Sequence, residues 1–422
     1  MTAALDSRFG PFGDGVWLNC AHQGPLPAPA RDAALAAVAA KVSPAGMSDA
    51  AFVEVPERLR RCLGRLIGAS PSDVLLANST SYTLNLIAEG LSWRAGDEVI
   101  CVAGDFPATV VPWLALARKG VRIHLIGGGD GQVTAQTVAE AMTPRTRVVC
   151  LSWVFSFFGH AVDLEAIGEI CREREVWFVV NASQAVGARP LGIDALAVDA
   201  VACCGFKWLC GPYATGFGWL RPELRDGLDY PQPHWLRAQT QHGLNRSLNY
   251  VLPDESTASA FDVFCNANFF NFAPLAAAVE LLLGIGVERA AEHDQRLIDE
   301  LIGGLDDCDY ELLSPRSGSQ RSTLVYFSHR DATENDRIYA GLVDRGVSVA
   351  VREGRLRVAP HIYNSSDDIG RLLEGLSDLR SPRASPPRTR VGGRDQGGRR
   401  PHASIPGPPA ATITGWSSAR AG

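Results

Sequence analysis

Lys207 lies in Cys204-Gly205-Phe206-Lys207-Trp208-Leu209-Cys210-Gly211-Pro212, directly after the mostly apolar run Val198–Cys203. A glycine-rich stretch from Gly211 to Gly218 follows it. A lysine at a strand end, fixed against a tight turn, is withdrawn from water. Desolvation disfavours the ammonium, and the neutral amine is a nucleophile for a carbonyl. Most lysines are solvated surface charges; the apolar run before this one and the Gly-Pro turn after it favour the reactive reading. A second group, Asn78-Ser79-Thr80-Ser81, follows the apolar strand Val74–Ala77 and opens a helix. Backbone amides at a helix N-terminus, joined by hydroxyls, suit a dianion such as phosphate, although the same residues also make an ordinary N-cap.

These side chains need a frame that brings them together. From about residue 72 the chain alternates helix and strand patterns. Ser81–Leu91 reads as helical, and Glu98–Val102, Val121–Leu125 and Arg147–Ser152 are short β-branched runs. Leu164–Glu173 is amphipathic, with Leu164, Ile167, Ile170 and Cys171 on one face. Val176–Val180 and Val198–Cys203 read as buried strands. Such alternation predicts an α/β fold with a mostly parallel sheet covered on both faces, and ligands at the carboxyl ends of its strands. Asn181 and the Lys207 turn both follow strands, so both can face one crevice. A long helix near Pro274–Gly284 leads into a smaller unit. The expected organisation is an N-terminal segment plus large domain over 1–284, a small domain over 285–380, and a tail over 381–422.

The chain has 422 residues, 46% hydrophobic and 20% charged, enough for a large core. Its net charge of −6 hides an asymmetry, because residues 381–422 carry seven Arg against one Asp. That tail is rich in Pro, Gly, Ser and Arg and reads as disordered. It holds no lysine and one aromatic, Trp416, which argues against a nucleic-acid arm. No run of 18 apolar residues marks a membrane span. No basic stretch followed by an apolar one opens the chain, which points away from secretion. None of the ten cysteines is paired at zinc-ligand spacing, so no metal site is expected and buried thiols of a reducing cytoplasm are.

The phrase FVVNASQAVGARPL, followed by DAVACCGFKWLCGPYATGFG, resembles the core of class V aminotransferases. These are fold-type I enzymes that use pyridoxal 5′-phosphate, the family of cysteine desulfurases, kynureninases and isopenicillin N epimerase-like proteins. The resemblance implies a large domain on a mostly parallel sheet with a smaller C-terminal α+β domain. It puts Lys207 at the lysine that forms the Schiff base. LLANSTSYTLNLIAEGL looks like the family's phosphate loop, with Thr80 and Ser81 on its phosphate-contacting pair and Asn85 on its last Asn. GDFPATVVPW resembles the segment whose aromatic ring stacks on the cofactor, here Phe106; alone, Phe106 reads equally as a core residue. Gln184 matches the glutamine that bonds the phenolic oxygen, and Ser156 falls near the same oxygen. REGRLRVAPHIYNSSDDIGRLLEGL resembles the C-terminal signature, with Arg357 at the arginine that pairs with an α-carboxylate. Arg352 and Arg355 nearby read as solvated strand charges. The resemblance spans about residues 15–380 in five ordered motifs, and it implies a homodimer in which the segment around Phe261–Asn268 reaches the neighbouring site.

Several positions depart from the pattern. Asn181 stands where the family has the aspartate that faces the pyridine nitrogen, and a neutral amide cannot hold that nitrogen protonated. Phe206 replaces a His. Cys204 and Cys265 replace a Ser and a Thr that contact phosphate, and thiols donate more weakly. No cysteine lies from Arg321 to Arg357, which discounts the persulfide chemistry of desulfurases. The expectation is an enzyme acting on an amino acid or amine, similar to class V aminotransferases, in specialised (secondary) metabolism. Epimerisation, elimination and oxidative deamination remain open, as does a non-catalytic protein of the same fold.

Overall fold

The computed structural model describes residues 3–127, 133–229, 234–235, 257–265, 267–305 and 309–379, so the tail over 381–422 lies outside the described residues. In chain order the first half runs β1 (Val16–Trp17), α1 (Ala28–Val42), α2 (Ala51–Ile67), β2 (Val74–Ala77), α3 (Thr80–Gly90), β3 (Glu98–Val102), α4 (Pro107–Leu114), β4 (Arg122–Ile126), α5 (Ala135–Ala141), β5 (Thr146–Ser152) and α6 (Leu164–Glu173). Then come β6 (Trp177–Asn181), β7 (Ala200–Cys204), β8 (Gly216–Leu220), α7 (Pro222–Asp226), α8 (Phe269–Ile285), α9 (Val287–Leu305), β9 (Tyr310–Leu312), β10 (Val325–His329), α10 (Asn335–Asp344), β11 (Val347–Ser348), β12 (Ala350–Arg352), β13 (Arg355–Val358) and α11 (Ser366–Asp378).

Seven strands form one sheet in the order β2-β8-β7-β6-β5-β3-β4. β7, β6, β5, β3 and β4 run parallel, as the alternating pattern predicts, while β8 is antiparallel to both its neighbours. The parallel strands are apolar on both faces. Val149, Leu151, Phe178 and Val180 enter one apolar layer, and Val148, Cys150 and Val179 enter the other. That is the two-residue alternation of a strand buried on both sides. The glycine-rich stretch Gly211–Gly218 ends inside strand β8, which the sequence reading did not mark as a strand. A Cβ on Gly218 would lie 2.5 Å from Thr83 Cγ2, so α3 can approach this strand only where a side chain is missing.

A second, antiparallel sheet has the order β12-β13-β10-β9. Leu297, Leu301, Phe327, Ile338, Leu356 and Leu372 pack in its core, and so do Val16 and Leu18. β1 pairs with β11, and Asn19 bridges to Ala359, so the N-terminal segment is tied to this sheet. The boundary expected at residue 284 falls at the junction of α8 and α9. Among the described residues no single helix is long and apolar enough to cross a membrane.

The outer edge of β2 would be an open row of donors and acceptors, and it is covered. Leu76 donates its N–H to Asp262 Oδ1 at 2.8 Å, and Val263 N–H donates to the Leu76 carbonyl at 2.9 Å. Arg60 of α2 clasps the same carboxylate at 2.6 Å, and both side chains are buried. Replacing Asp262 by Ala takes the buried partner from the Arg60 guanidinium, which keeps the more exposed Glu57, and uncovers the edge. Asp262→Ala should therefore lower the unfolding free energy by about 3–5 kcal/mol, read from urea titrations followed by circular dichroism. A loss of less than about 1 kcal/mol would place the pair with ordinary surface ion pairs.

Candidate active site

The carboxyl ends of β3, β5, β6 and β7 converge on a cavity of about 390 Å³. Thr80, Ser81, Phe106, Ser156, Asn181, Gln184, Cys204, Lys207 and Arg357 all line it. Nine side chains singled out in the sequence thus share one space. Cys265 does not line it; this exposed residue borders a separate depression with Met47, Phe264 and Phe270. Asn85 is turned back along α3, where its amide donates to the Ser81 carbonyl at 2.8 Å.

Lys207 sits on the turn between β7 and β8, and the turn is held from several directions. Gly211 N–H donates to the Gly205 carbonyl at 2.8 Å, and Cys210 N–H to the Lys207 carbonyl at 2.9 Å. From the N-terminal segment, Gly24 N–H donates to the Phe206 carbonyl at 2.9 Å. A Cβ on Gly24 would lie 2.1 Å from the Lys207 carbonyl oxygen, so only glycine allows this approach. His361 contacts the Trp208 carbonyl through Nε2 at 3.2 Å and Asp294 through Nδ1 at 2.8 Å. Both partners only accept there, so both ring nitrogens carry hydrogen. Burial works against that charge, but Asp294 overrides it and lifts the imidazolium to about 9. Cys20 and Cys210 bring their sulfurs within 4.8 Å of this ring, yet the ring has no lone pair left to offer a metal ion.

The Lys207 amine is buried and lies 5.3 Å from the centre of the Phe106 ring. Burial pushes its pKa below the usual amine value, and the nearby Arg357 charge adds to that. Phe106 in turn stacks on Phe157 at 6.1 Å. At the start of α3, Ser79 caps the helix by accepting from Tyr82 N–H at 3.2 Å. Thr80 Oγ1 lies 2.6 Å from Ser183 Oγ, and Ser79, Thr80, Ser81 and Ser183 all face the cavity. Four hydroxyls at a helix N-terminus fit a phosphate dianion. Gln184 donates to the Ala21 carbonyl at 3.1 Å and to Ser156 Oγ at 3.3 Å, and accepts from Trp208 Nε1 at 3.0 Å. Both its N–H groups are therefore engaged, and the hydrogen left to point outward belongs to Ser156.

Asn181 ends a chain of hydrogen bonds that sequence reading missed. Its Oδ1 accepts from Ser183 N–H at 3.0 Å, which fixes the amide orientation, and its Nδ2 donates to Thr109 Oγ1 at 2.9 Å. Thr109 Oγ1 is 3.2 Å from Ser152 Oγ, and Ser152 Oγ is 2.6 Å from Asp105 Oδ1. Asp105 also accepts from Ser152 N–H at 2.8 Å and Phe106 N–H at 2.6 Å. Burial raises its carboxyl to about 6, while these hydrogen bonds hold it down, so it is ionised at neutral pH. A carboxylate only accepts, so every hydrogen in the chain points from Asn181 toward Asp105. Asp105 and Thr109 flank Phe106 in sequence, the one local signal that could have marked them.

Arg357 on β13 is 3% exposed; its Nη2 donates to Asn19 Oδ1 at 3.1 Å, and its Nε has no partner. Arg352, read from sequence as a solvated strand charge, instead lines the cavity. The register explains this: Ala350 faces Arg357 and Arg352 faces Arg355, which puts all three arginines on one sheet face. Arg355 lies over the Phe158 ring at 5.7 Å and does not reach the cavity wall. Among the described residues no carboxylate lines the cavity.

A buried amine with a depressed pKa beside an aromatic ring, hydroxyls at a helix N-terminus and a buried arginine can together hold a phosphorylated aldehyde and an amino acid. The family model "Aminotransferase class-V" matches residues 35–364. A probable cysteine desulfurase of Methanothermobacter thermautotrophicus is 24% identical, over 76% of this chain and 83% of that one. The isopenicillin N epimerase of Amycolatopsis lactamdurans is 28% identical, over 86% of this chain and 94% of that one. The fold is similar to a cystine C-S lyase solved in complex with cysteine persulfide, with a TM-score of 0.78 at 22% identity, covering 87% of this chain and 98% of that one. The cavity fits the cofactor of that family, pyridoxal 5′-phosphate, and the chain belongs to the class V aminotransferases.

Proposed function

We propose that the protein acts on the α-amine of an amino acid, with Lys207 as the residue that anchors the cofactor and moves the substrate's α-proton. The observation that carries this is the Lys207 amine, buried, with its pKa pushed down by that burial, and facing Phe106 inside the cavity. When bound, pyridoxal phosphate supplies an aldehyde that captures amines and a ring that withdraws electrons. Thr80, Ser81 and Ser183 would hold its phosphate at the α3 N-terminus, Phe106 would pack against its ring, and Ser156, steadied by Gln184, would offer a hydrogen to its phenolic oxygen. Asn181 would offer its second amide hydrogen toward the ring nitrogen, a neutral donor in place of a carboxylate. Cys204 lies beside the lysine, and Arg357 takes the α-carboxylate in its fork. The N-terminal segment packs on the turn at Gly24 and helps to shield the lysine from water.

Aminotransferase-type chemistry is our first reading. Epimerisation is the second, favoured by the relative that matches over 94% of its own length. Persulfide formation is disfavoured, because Arg321–Arg357 contains no cysteine. A non-catalytic role is disfavoured by the joint burial of Lys207 and Arg357 on one cavity. Among the described residues every cysteine is a free thiol, which fits a reducing cytoplasm.

Borohydride treatment of the loaded protein should leave the cofactor on the peptide containing Lys207, as read by mass spectrometry, and Lys207→Ala should lose activity by about 10²- to 10⁴-fold. Label on any other peptide contradicts the assignment. We also propose a homodimer that presents Cys265 to the partner's phosphate site. Leu35, Val38 and Val42 of α1 are exposed, as are Phe264 and Phe270, and two-fold closure would cover such a face. Light scattering should return twice the chain mass; a monomer mass at micromolar concentration would exclude the arrangement.

A further inference from the structure

Arg352 and Arg357 are diagonal neighbours on adjacent strands, β12 and β13, with side chains on one face. Both reach the cavity, and so does Lys207. Neither arginine forms an ion pair with a carboxylate among the described residues. Arg352 donates Nη1 to the carbonyl of its own neighbour, Val351, at 2.8 Å. Arg357 is 3% exposed and keeps an unpartnered Nε. Burial depresses the pKa of His22, which shares this wall, and Arg352, Arg357 and Lys207 push it the same way.

Arg357 is buried and Arg352 half-buried, and a guanidinium drawn even partly from water is stabilised by an acceptor with opposite charge. One carboxylate has two oxygens and satisfies one guanidinium fork. The phosphate of the cofactor is provided for elsewhere, by hydroxyls and the α3 N-terminus. The α-carboxylate engages Arg357, and Arg352 is then left facing the same cavity without an anion.

We propose that the cavity is built for an amino acid with a second acidic group on its side chain, and that Arg352 is the residue that selects it. The inference rests on the reading of Arg357 as the α-carboxylate partner. It adds a residue that sets specificity and the substrate class, an acidic amino acid. Tyr213 and Phe157 complete a wall that holds the intervening methylenes.

The test measures binding of L-aspartate, L-asparagine, L-glutamate and L-glutamine to the cofactor-loaded protein. Calorimetry and the visible absorption of the bound cofactor give independent dissociation constants. At least one acid should bind about tenfold or more tightly than its amide, the scale of a charge-assisted fork. Arg352→Gln should bring that ratio to about one, and Arg352→Lys should give an intermediate ratio, since a point charge remains without the fork. Arg357→Gln should weaken acid and amide alike. Circular dichroism checks that each variant is folded, and the wild-type ratio stands on its own if one is not. Equal affinities for acid and amide in the wild type, or a ratio that survives Arg352→Gln, would overturn the inference while leaving the function in place. A loaded protein that binds no amino acid would overturn both.

Discussion

The turn that carries Lys207 has almost no freedom, and the rest of the site is arranged around that restriction. The N-terminal segment meets it at Gly24, with no space for a methyl group. Gln184 grips the Trp208 indole from the end of β6, and His361 reaches the Trp208 carbonyl from the segment after β13. Three parts of the chain far apart in sequence therefore fix one backbone. A lysine on a looser turn would extend its flexible stem into water and stay charged. Held here, it is kept from solvent, and its chemistry follows from the packing more than from its own side chain. The crowding also explains why residues 15–24 pair with the C-terminal strands: they close the turn on one side and the second sheet on the other.

The same site concentrates positive charge that the fold itself does not neutralise. Elsewhere a buried cation is matched, as Arg60 is by Asp262. Around the cavity Arg352 and Arg357 donate to the Val351 carbonyl and to Asn19 but have no carboxylate partner among the described residues, and the buried Asp105 spends its lone pairs on Ser152 and Phe106. An anion that binds there would stabilise the folded protein.

Much of this was legible in the sequence because the parallel strands declare themselves twice. β-branched runs such as Val148–Leu151 are apolar at every position, and motifs in a fixed order follow their ends. Lys207 and the Thr80–Ser81 pair follow such runs, Arg357 was marked by resemblance to the family's C-terminal signature, and all of them line one cavity. Three things were hidden. Strand β8 was not read as a strand, because its glycines answer to the crowding of α3 and leave no apolar alternation. Arg352 looked solvated because only the register of β12 against β13 shows that it shares a face with Arg357. Thr109, Ser152 and Asp105 carry no chemistry alone, and a chain of hydrogen bonds across three strand ends leaves no linear pattern.

That chain has a consequence for how the protein can change over generations. Suppose position 181 became an aspartate in one step. Thr109 would have to give its hydrogen to the new carboxylate, yet Ser152 already gives its own to Asp105. The two hydroxyl oxygens, 3.2 Å apart, would then face each other with lone pairs and no hydrogen between them. Either a proton must be trapped on one acid, or position 105, 109 or 152 must change as well. The amide at 181 and the acid at 105 are thus physically coupled, and a change at either one alone works against the hydrogen bonds between them.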